Sequence, residues 1–186
     1  AGARVVSEPQ RQIARARNTG AAAASGQWLL FVDADTTPSA ELMRATRIVM
    51  EAGNCCAGGA LVDGEELPFL TRTLLLGAWN SLSRVLGLAC GAYLFCRREA
   101  FVELGGFSTQ LYAAEELDIC WRLRRWGHEH GEKLVIITET RLRTSMRKLD
   151  LYTPAELLLM LARAVVNPTR ALKSRRYLDH WYDGRR

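Results

Sequence analysis

Two carboxylates stand one residue apart at the end of an apolar run. The run from Trp28 to Val32 has the length of a strand, and Asp33 and Asp35 follow it directly. A continuous apolar run of this length predicts a strand that is buried on both faces in a parallel sheet. Because alternate side chains project in the same direction, the pair could bind a hard divalent cation that bridges a diphosphate. The alternative is a loop in which Asp35 caps a turn before Pro38.

A second group of carboxylates opens a predicted helix. Glu115, Glu116 and Asp118 fall in its first turn, and Gly127 is its predicted stop. A parallel sheet places its ligands at the carboxyl ends of the strands, so one of these groups could reach the same crevice and act as a general base. The structural alternative is that the acids complement the helix dipole, with Asp118 and Arg122 forming an ordinary i,i+4 ion pair.

The elements expected around these carboxylates alternate between strand and helix. Beyond the run at 28–32, strands are predicted at residues 4–7, 55–62, 91–97 and 133–138. Helices are predicted at residues 9–26, 40–52, 99–104 and 115–126, with a weakly helical apolar segment at 68–88 and a further helix from Pro154. Ser39 is the predicted N-cap of the second helix, and residues 107–114 are predicted to form a loop. This alternation is typical of an α/β domain.

Four motifs follow one another at domain-like spacings. They are Ala-Arg-Ala-Arg-Asn-Thr-Gly-Ala at 14–21, Phe-Val-Asp-Ala-Asp at 31–35, Gly-Gly-Phe at 105–107 and Glu-Glu-Leu-Asp at 115–118. In this order they resemble the family 2 glycosyltransferases of the GT-A fold. In that family an Arg-Asn-x-Gly helix precedes a strand that ends in DxD, and a Gly-Gly-Phe loop precedes a helix that begins with Glu-Asp-x-Asp. The resemblance runs from Ala1 to about Trp126. It implies a Rossmann-like three-layer sandwich with a mostly parallel sheet and C-terminal helices.

For the donor side, the resemblance implies a nucleotide-sugar and a metal. Asp33 and Asp35 would hold Mg²⁺ or Mn²⁺ on the diphosphate of a UDP- or GDP-sugar and so neutralise charge on the leaving group. Arg17, Asn18 and Ala34 would lie beside the nucleotide, together with Asp33.

For the acceptor side, the resemblance implies a general base and inversion at the anomeric carbon. The usual base is the Asp in the second place of the Glu-Asp-x-Asp motif, where this sequence has Glu116, which is longer by one methylene. A Glu can perform the same proton transfer from the acceptor hydroxyl. Glu115 is the reserve for that role, and Asp118 completes the motif. The acceptor would be a sugar, a lipid-linked or a small molecule, and its pocket would be shaped by Gly105, Gly106 and Phe107.

Two signatures of the family's nucleotide half do not occur in this sequence. They are a first strand ending in Pro-x-(Tyr/Phe)-Asn-Glu and a second ending in Asp-Asp-Gly-Ser-like residues. The chain begins at what resembles the third strand, so we expect a GT-A domain without its N-terminal strands at 1–150, with an amphipathic helix and basic tail at 151–186. A sheet without these neighbours exposes an edge. The alternative function is therefore a truncated, non-catalytic remnant that forms a homo-oligomer or binds a partner through that sheet.

The charge of the chain favours polyanionic partners. Its 25 Lys and Arg exceed its 20 Asp and Glu, which gives a formal net charge of +5, and much of the surplus lies in residues 141–186. No nucleic-acid motif accompanies this charge, so nucleic acid is the least favoured partner. The helix from Pro154 and the basic tail could instead lie on an anionic membrane, although a solvated helix with an apolar core face is the alternative.

The cysteines and histidines indicate the redox compartment and the kind of metal site to expect. Five cysteines without a CxxC pair or a zinc-spaced His predict neither a disulfide framework nor a structural metal site, and favour a reducing cytosol. His128 and His130 are predicted to be exposed loop residues rather than metal ligands. The longest apolar stretches end well before the ~20 residues that span a bilayer. We therefore expect a cytoplasmic protein, at the inner face of the membrane if the tail binds lipid.

Overall fold

The computed structural model describes residues 2–63 and 76–143, which form a sheet between two helical layers. The four strands are β1 (Trp28–Val32), β2 (Cys55–Asp63), β3 (Tyr93–Arg97) and β4 (Lys133–Arg143). The helices are α1 (Ile13–Ala23), α2 (Ala40–Glu51), α3 (Gly77–Leu86), α4 (Arg98–Glu103) and α5 (Glu115–Glu129). The predicted α/β class is confirmed.

The sheet is mixed, with the strand order β1-β3-β2-β4. Strand β3 runs antiparallel to both of its neighbours, whereas β2 and β4 pair in parallel. Three of the four strands thus point in one direction, but only one of the three pairings is parallel. The reason lies at the carboxyl end of β2, where the Asn80 side chain of α3 bonds both the N–H and the C=O of Val62. Helix α3 therefore lies at the end of β2 from which β3 begins, which gives an antiparallel pair. A parallel neighbour would require a crossover to the opposite end of the sheet.

Each face of the sheet carries its own apolar core. Helices α1, α4 and α5 cover one face, and α2 covers the other. The larger core contains Leu29, Leu94, Phe101, Phe107, Ile119 and Leu123. The smaller core contains Leu42, Tyr93, Phe95, Ile137 and Leu142. Burying each such side chain contributes roughly 1.5–3 kcal/mol, so the two cores fix the three layers that the family resemblance implied.

Several local predictions are confirmed, and one is wrong at the start of the chain. Ser39 caps α2 as predicted, since its Oγ accepts a hydrogen bond of 3.1 Å from the Leu42 N–H. Residues 4–7 were expected to form a strand, but they have no regular secondary structure, and Val5 is 91% exposed. No strand of the described residues lies beside them to complete a ladder, and extended backbone without one is not a strand.

Helix α5 continues past its predicted stop. Gly127 lies buried inside the helix, where an added Cβ would meet the Cys56 Sγ at 2.5 Å and the Glu132 carbonyl oxygen at 2.9 Å. The left-handed turn falls instead at Gly131, whose φ is 70°. His128 is accordingly helical rather than in a loop. Gly127 therefore permits close packing of α5 on the sheet and does not end the helix.

The end of α5 also places the second histidine. His130 is the C-cap residue, and it is exposed as expected. Its ring stacks on Trp126, with centroids 3.8 Å apart and planes at 13°.

Some predictions lie outside the described residues. These are the helix from Pro154, the basic tail and the boundary at 151–186. Within residues 2–63 and 76–143, no helix has the length and apolar character needed to cross a membrane. The five cysteines are free thiols, and four of them are buried.

Candidate active site

Three of the sequence motifs meet at the guanidinium of Arg17, which projects from α1. Its Nη2 donates to the Asp33 carboxylate and to the Gly91 carbonyl, each at 2.9 Å. Its Nη1 donates to the Glu115 carboxylate at 3.0 Å. Its Cζ lies 5.4 Å from the centroid of the Phe107 ring. One side chain therefore joins the end of β1, the approach to β3 and the first turn of α5.

The carboxyl end of β1 presents the first pair of candidate residues. The Asp33 N–H donates to the Ala92 carbonyl at 3.2 Å, and the Asp33 carbonyl accepts from the Thr36 N–H at 3.0 Å, which fixes its backbone. The Asp33 side chain is 42% exposed despite its ion pair with Arg17. Asp35 is fully at the surface, next to the exposed Ala34. Carboxylate oxygens thus face solvent at this strand end.

These carboxylates fit a cation that is shared with a substrate. Mg²⁺ is commonly held by one or two protein carboxylates, with water and substrate phosphates completing its shell. In the described part of the chain, no group of three or more His, Cys, Asp or Glu is placed to hold a metal. Asp33 and Asp35 therefore suit a cation bound together with a diphosphate, and they do not form an all-protein cage.

Glu116 differs from the other carboxylates of α5. It is half-buried, and within residues 2–63 and 76–143 it forms no ion pair. Burial, followed by the charge of Glu115, raises the pKa of Glu116 to about 6, and the charge of Arg17 offsets only part of this rise. At pH 7 this carboxyl group is mostly ionised, yet it is a stronger base than an exposed glutamate.

Gly91 makes room for this arrangement. A Cβ at Gly91 would lie 3.3 Å from both the Arg17 Nη2 and the Glu116 Cδ. The sequence placed Gly91 only as the first residue of a strand, and its contact with two charged groups was missed. The available signal was a glycine next to a predicted strand, which often marks a close approach of another group.

The other two α5 carboxylates are already engaged. Glu115 is only 4% exposed and is held by Arg17. Asp118 accepts from Arg122 at 2.6 and 2.9 Å, so the predicted i,i+4 pair is present. Arg122 also donates to the carbonyls of Leu104 and Gly106, each at 2.8 Å. Asp118 thus supports the Gly-Gly-Phe loop through Arg122, and its suggested place in the catalytic motif stays a prediction.

The Gly-Gly-Phe loop is clamped to α1 by Asn18. The Asn18 amide donates to the Phe107 carbonyl and accepts from the Phe107 N–H, each at 2.9 Å. Gly105 and Gly106 both have a φ of 72°, a conformation that favours glycine, and a Cβ at Gly106 would lie 2.7 Å from the Asn18 Oδ1. The ring of Phe107 is buried and meets Phe31 edge-on at 5.0 Å. In this structure Asn18 binds the loop and Phe107 packs in the core.

A groove of about 530 Å³ runs along the outer side of β1. Residues of α1 and β1 line it, and Arg17, Asp33 and Ala34 are among its lining residues. Three of the donor-side residues named from the sequence therefore border one concave surface, which is the usual form of a small-molecule site, whereas Asn18 and Asp35 do not line it.

Comparison with known proteins identifies the class to which this fold and site belong. The sequence model described as Glycosyl transferase family 2 matches residues 1–105, which is more than half of the chain, and the chain belongs to this family. The match includes α1, the Asp33–Asp35 strand end and Gly91, and it ends before α5.

Two curated relatives extend the match beyond residue 105. They are the "Pre-mycofactocin glycosyltransferase" proteins of Mycobacterium tuberculosis strains CDC 1551 / Oshkosh and ATCC 25618 / H37Rv. Each is 27% identical over 150 residues, covering 72% of this chain and 31% of the relative. The chain thus spans about a third of the length of the curated relatives it matches.

A solved structure confirms the fold class. The chain is similar to "Mannosyltransferase PcManGT from Pyrobaculum calidifontis in complex with GDP-Man and Mn2+", with a TM-score of 0.56 and 18% identity. The alignment covers 83% of this chain and 41% of that chain. The GT-A-like architecture implied by the motifs is therefore confirmed.

Proposed function

We propose that this chain carries the catalytic part of a metal-dependent, inverting glycosyltransferase. It moves a sugar from a nucleoside-diphosphate sugar, a UDP- or GDP-sugar, to an acceptor hydroxyl. One observation carries the proposal: Arg17 bonds both Asp33 and Glu115, so the strand-end carboxylates and the first turn of α5 share one site. Membership of glycosyl transferase family 2 supports glycosyl transfer as the reaction class.

On the donor side, Asp33 and Asp35 would hold Mg²⁺ or Mn²⁺. A bound divalent cation would supply positive charge that stabilises the leaving nucleoside diphosphate. Arg17 adds a positive charge beside the cation. Asn18 holds the Gly-Gly-Phe loop in place, and the small, exposed Ala34 leaves the strand end open to the nucleotide. The similar mannosyltransferase was solved in complex with GDP-Man and Mn²⁺, which supports this choice of ligands.

On the acceptor side, Glu116 takes the proton of the attacking hydroxyl. Its pKa of about 6 lies close to working pH, which is where a general base is most effective, and such a base contributes typically ~10²- to 10⁴-fold in rate. Attack opposite the leaving group inverts the anomeric carbon. Glu115 is bound to Arg17 and Asp118 to Arg122, so both are less free to move a proton. The acceptor, a sugar, lipid-linked or small molecule, lies against the loop of Gly105, Gly106 and Phe107 on the side of the exposed Gly105, while the buried Phe107 ring supports the loop from the core.

Calorimetric titration tests the donor site. UDP and GDP, each with Mn²⁺, are titrated into this chain and into its Asp33→Asn, Asp35→Asn variant. We expect binding that requires Mn²⁺ and that the double variant loses. The control is Glu51→Gln, which removes an exposed carboxylate of α2 that pairs with Arg47, and it should bind as the parent does. Metal-dependent binding that persists in the double variant contradicts the proposed donor site.

A second candidate is a non-catalytic remnant that forms a homo-oligomer through its sheet. The supporting observation is that β1 pairs only with β3 in the described sheet and borders the groove of about 530 Å³ on its other side. This candidate predicts a stable oligomer without nucleotide-sugar affinity. Light scattering combined with the titration above distinguishes the two candidates, since a monomer that binds UDP or GDP contradicts the second.

The proposed location is the cytoplasm, at the inner face of the membrane. The basis is the surplus of Lys and Arg in residues 141–186, which suits a lipid-linked acceptor among the acceptors named above. Flotation with anionic and neutral vesicles at low and high salt tests the membrane contact. Salt-sensitive binding to anionic vesicles supports it, and equal absence of binding to both kinds contradicts it.

A further inference from the structure

Arg17 lies between two carboxylates that belong to different sides of the site. The Asp33 side chain is 42% exposed, whereas those of Glu115 and Arg17 are 5% and 12% exposed. One positive charge is therefore shared by one buried and one open negative charge. The buried carboxylate has no access to water that could replace its partner, so its ion pair is the costly one to break.

The geometry fixes the guanidinium at one end more firmly than at the other. Nη1 is held by buried Glu115, Nη2 also donates to the Gly91 carbonyl, and the Cζ lies over the Phe107 ring. Of the two carboxylates that Arg17 contacts, Asp33 is the partly solvated one. The planar fork of arginine can serve two carboxylates at once, which a lysine ammonium does with poorer geometry. The contact with Asp33 is thus the one that a competing cation can weaken.

A cation on Asp33 and the guanidinium of Arg17 repel each other. Both are positive, and both use the same carboxylate. We propose that Arg17 is a positioning residue that competes with the divalent cation for Asp33, while Glu115 holds Arg17 in place and offsets its charge. This inference rests on the proposed function, because it assumes a cation at Asp33. It makes the affinity for the cation depend on two residues that are not its ligands.

A purely structural role for this bridge predicts a different result. If Arg17 and Glu115 only stabilised the site, replacing either would loosen Asp33 and weaken cation binding. If they act through charge, their replacements have opposite effects. Arg17→Gln removes a positive charge and strengthens binding, whereas Glu115→Gln leaves the charge of Arg17 uncompensated and weakens it. The sign of the change therefore separates the two roles.

The experiment is a titration of the chain with Mn²⁺ alone, followed by electron paramagnetic resonance of the free ion. We expect Arg17→Gln to bind Mn²⁺ roughly tenfold more tightly, because a unit charge acts at short range on a divalent ion. Glu115→Gln, whose charge lies farther away, should bind it about threefold more weakly.

The matched control uses the other arginine–glutamate pair of this sheet. Arg97 bonds Glu132 at 2.8 Å from the opposite end of β3, roughly 17 Å along the strands from Asp33. Arg97→Gln and Glu132→Gln should leave Mn²⁺ affinity unchanged.

A further variant guards against misfolding, since Arg17→Gln leaves Glu115 buried without a partner. Arg17→Gln, Glu115→Gln removes the buried carboxylate together with its partner, and it should bind Mn²⁺ more tightly than Glu115→Gln does. Changes of opposite sign, or this rise in the double variant, support the inference. Changes of the same sign, or none, overturn it. If the parent binds Mn²⁺ and the variants do not differ, the inference fails while the proposed function stands. If no protein binds Mn²⁺ alone, the inference fails, and the titration with UDP and GDP decides the proposed function separately.

Discussion

The two ends of β3 carry the same three kinds of contact, yet they differ in charge. At the far end, Arg97 bonds Glu132 and the Cys55 carbonyl and lies 5.3 Å from the Trp28 ring. At the near end, Arg17 likewise contacts a carbonyl and an aromatic ring, but it bonds two carboxylates. A third carboxylate, that of Glu116, lies beside them and forms no ion pair with any residue that the structure describes. An arginine that is paired with a single carboxylate leaves no net charge at the far end. The excess of negative charge at the Arg17 end is what equips it to bind a cation and to accept a proton.

The largest expected effect concerns the unpaired carboxylate. Glu116→Gln removes the proposed base, so transfer should fall by about 10²- to 10⁴-fold while the unfolding temperature changes little. Glu132→Gln removes a carboxylate from the far end of β3 and should retain activity. Product formation from UDP- and GDP-sugars measures both variants. Equal losses in the two would remove the distinction between the ends.

Stability should also differ between the two arginines. Arg17→Gln leaves Glu115 buried without its partner, and we expect a loss of about 3 kcal/mol in the free energy of unfolding. Arg97→Gln should cost only about 1 kcal/mol, because Glu132 is 17% exposed and water can reach it. Urea denaturation measures both. A larger loss in Arg97→Gln would contradict the argument from burial.

The pH dependence sharpens the comparison at the Arg17 end alone. Glu116 has its pKa raised from 4.5 to about 6, so the ionised base, and with it the rate, should fall about tenfold per pH unit below pH 6. The titratable groups facing Glu116 are Glu115, Arg17, Asp33, Cys90 and Cys120. A rate profile that is flat between pH 5 and pH 7 would exclude Glu116 as the base.

The same raised pKa has an effect on folding. It means that the folded chain holds the proton more tightly than the unfolded chain, so this group's contribution to stability is present below pH 4.5 and is lost as the pH rises through about 6.

Much of the fold and of the site could be predicted because the signals are local. The existence of strand β1, the Ser39 cap and the dipole-complementing acids of α5 depend on neighbouring residues in the sequence. The predicted burial of β1 on both faces of a parallel sheet is wrong, because β1 pairs antiparallel with β3 and only Leu29 of this strand is buried. That the Asp33 strand end and the α5 carboxylates share one crevice was expected from the order of four motifs, whereas the bridge that Arg17 forms between them was not. That order carries information about the whole domain, which single residues do not.

The remaining features depend on contacts distant in sequence. The direction of β3 follows from where α3 docks on Val62, a contact between segments that the local pattern does not link. Gly127 has the sequence context of a helix stop, but packing of α5 against Cys56 keeps it helical. Likewise, the ion pair with Arg17, 98 residues away, gives Glu115 a different role from that of Glu116, although the two glutamates are adjacent and chemically equal.

The close packing at Gly127 has a consequence for sequence variation. An added methyl group there would lie 2.5 Å from the Cys56 Sγ and 2.9 Å from the Glu132 carbonyl oxygen. An alanine at 127 thus requires a smaller residue at 56 and a shift of the backbone at 132, or a wider gap between helix and sheet. We therefore expect the residue sizes at positions 56 and 127 to vary together among proteins that keep this spacing.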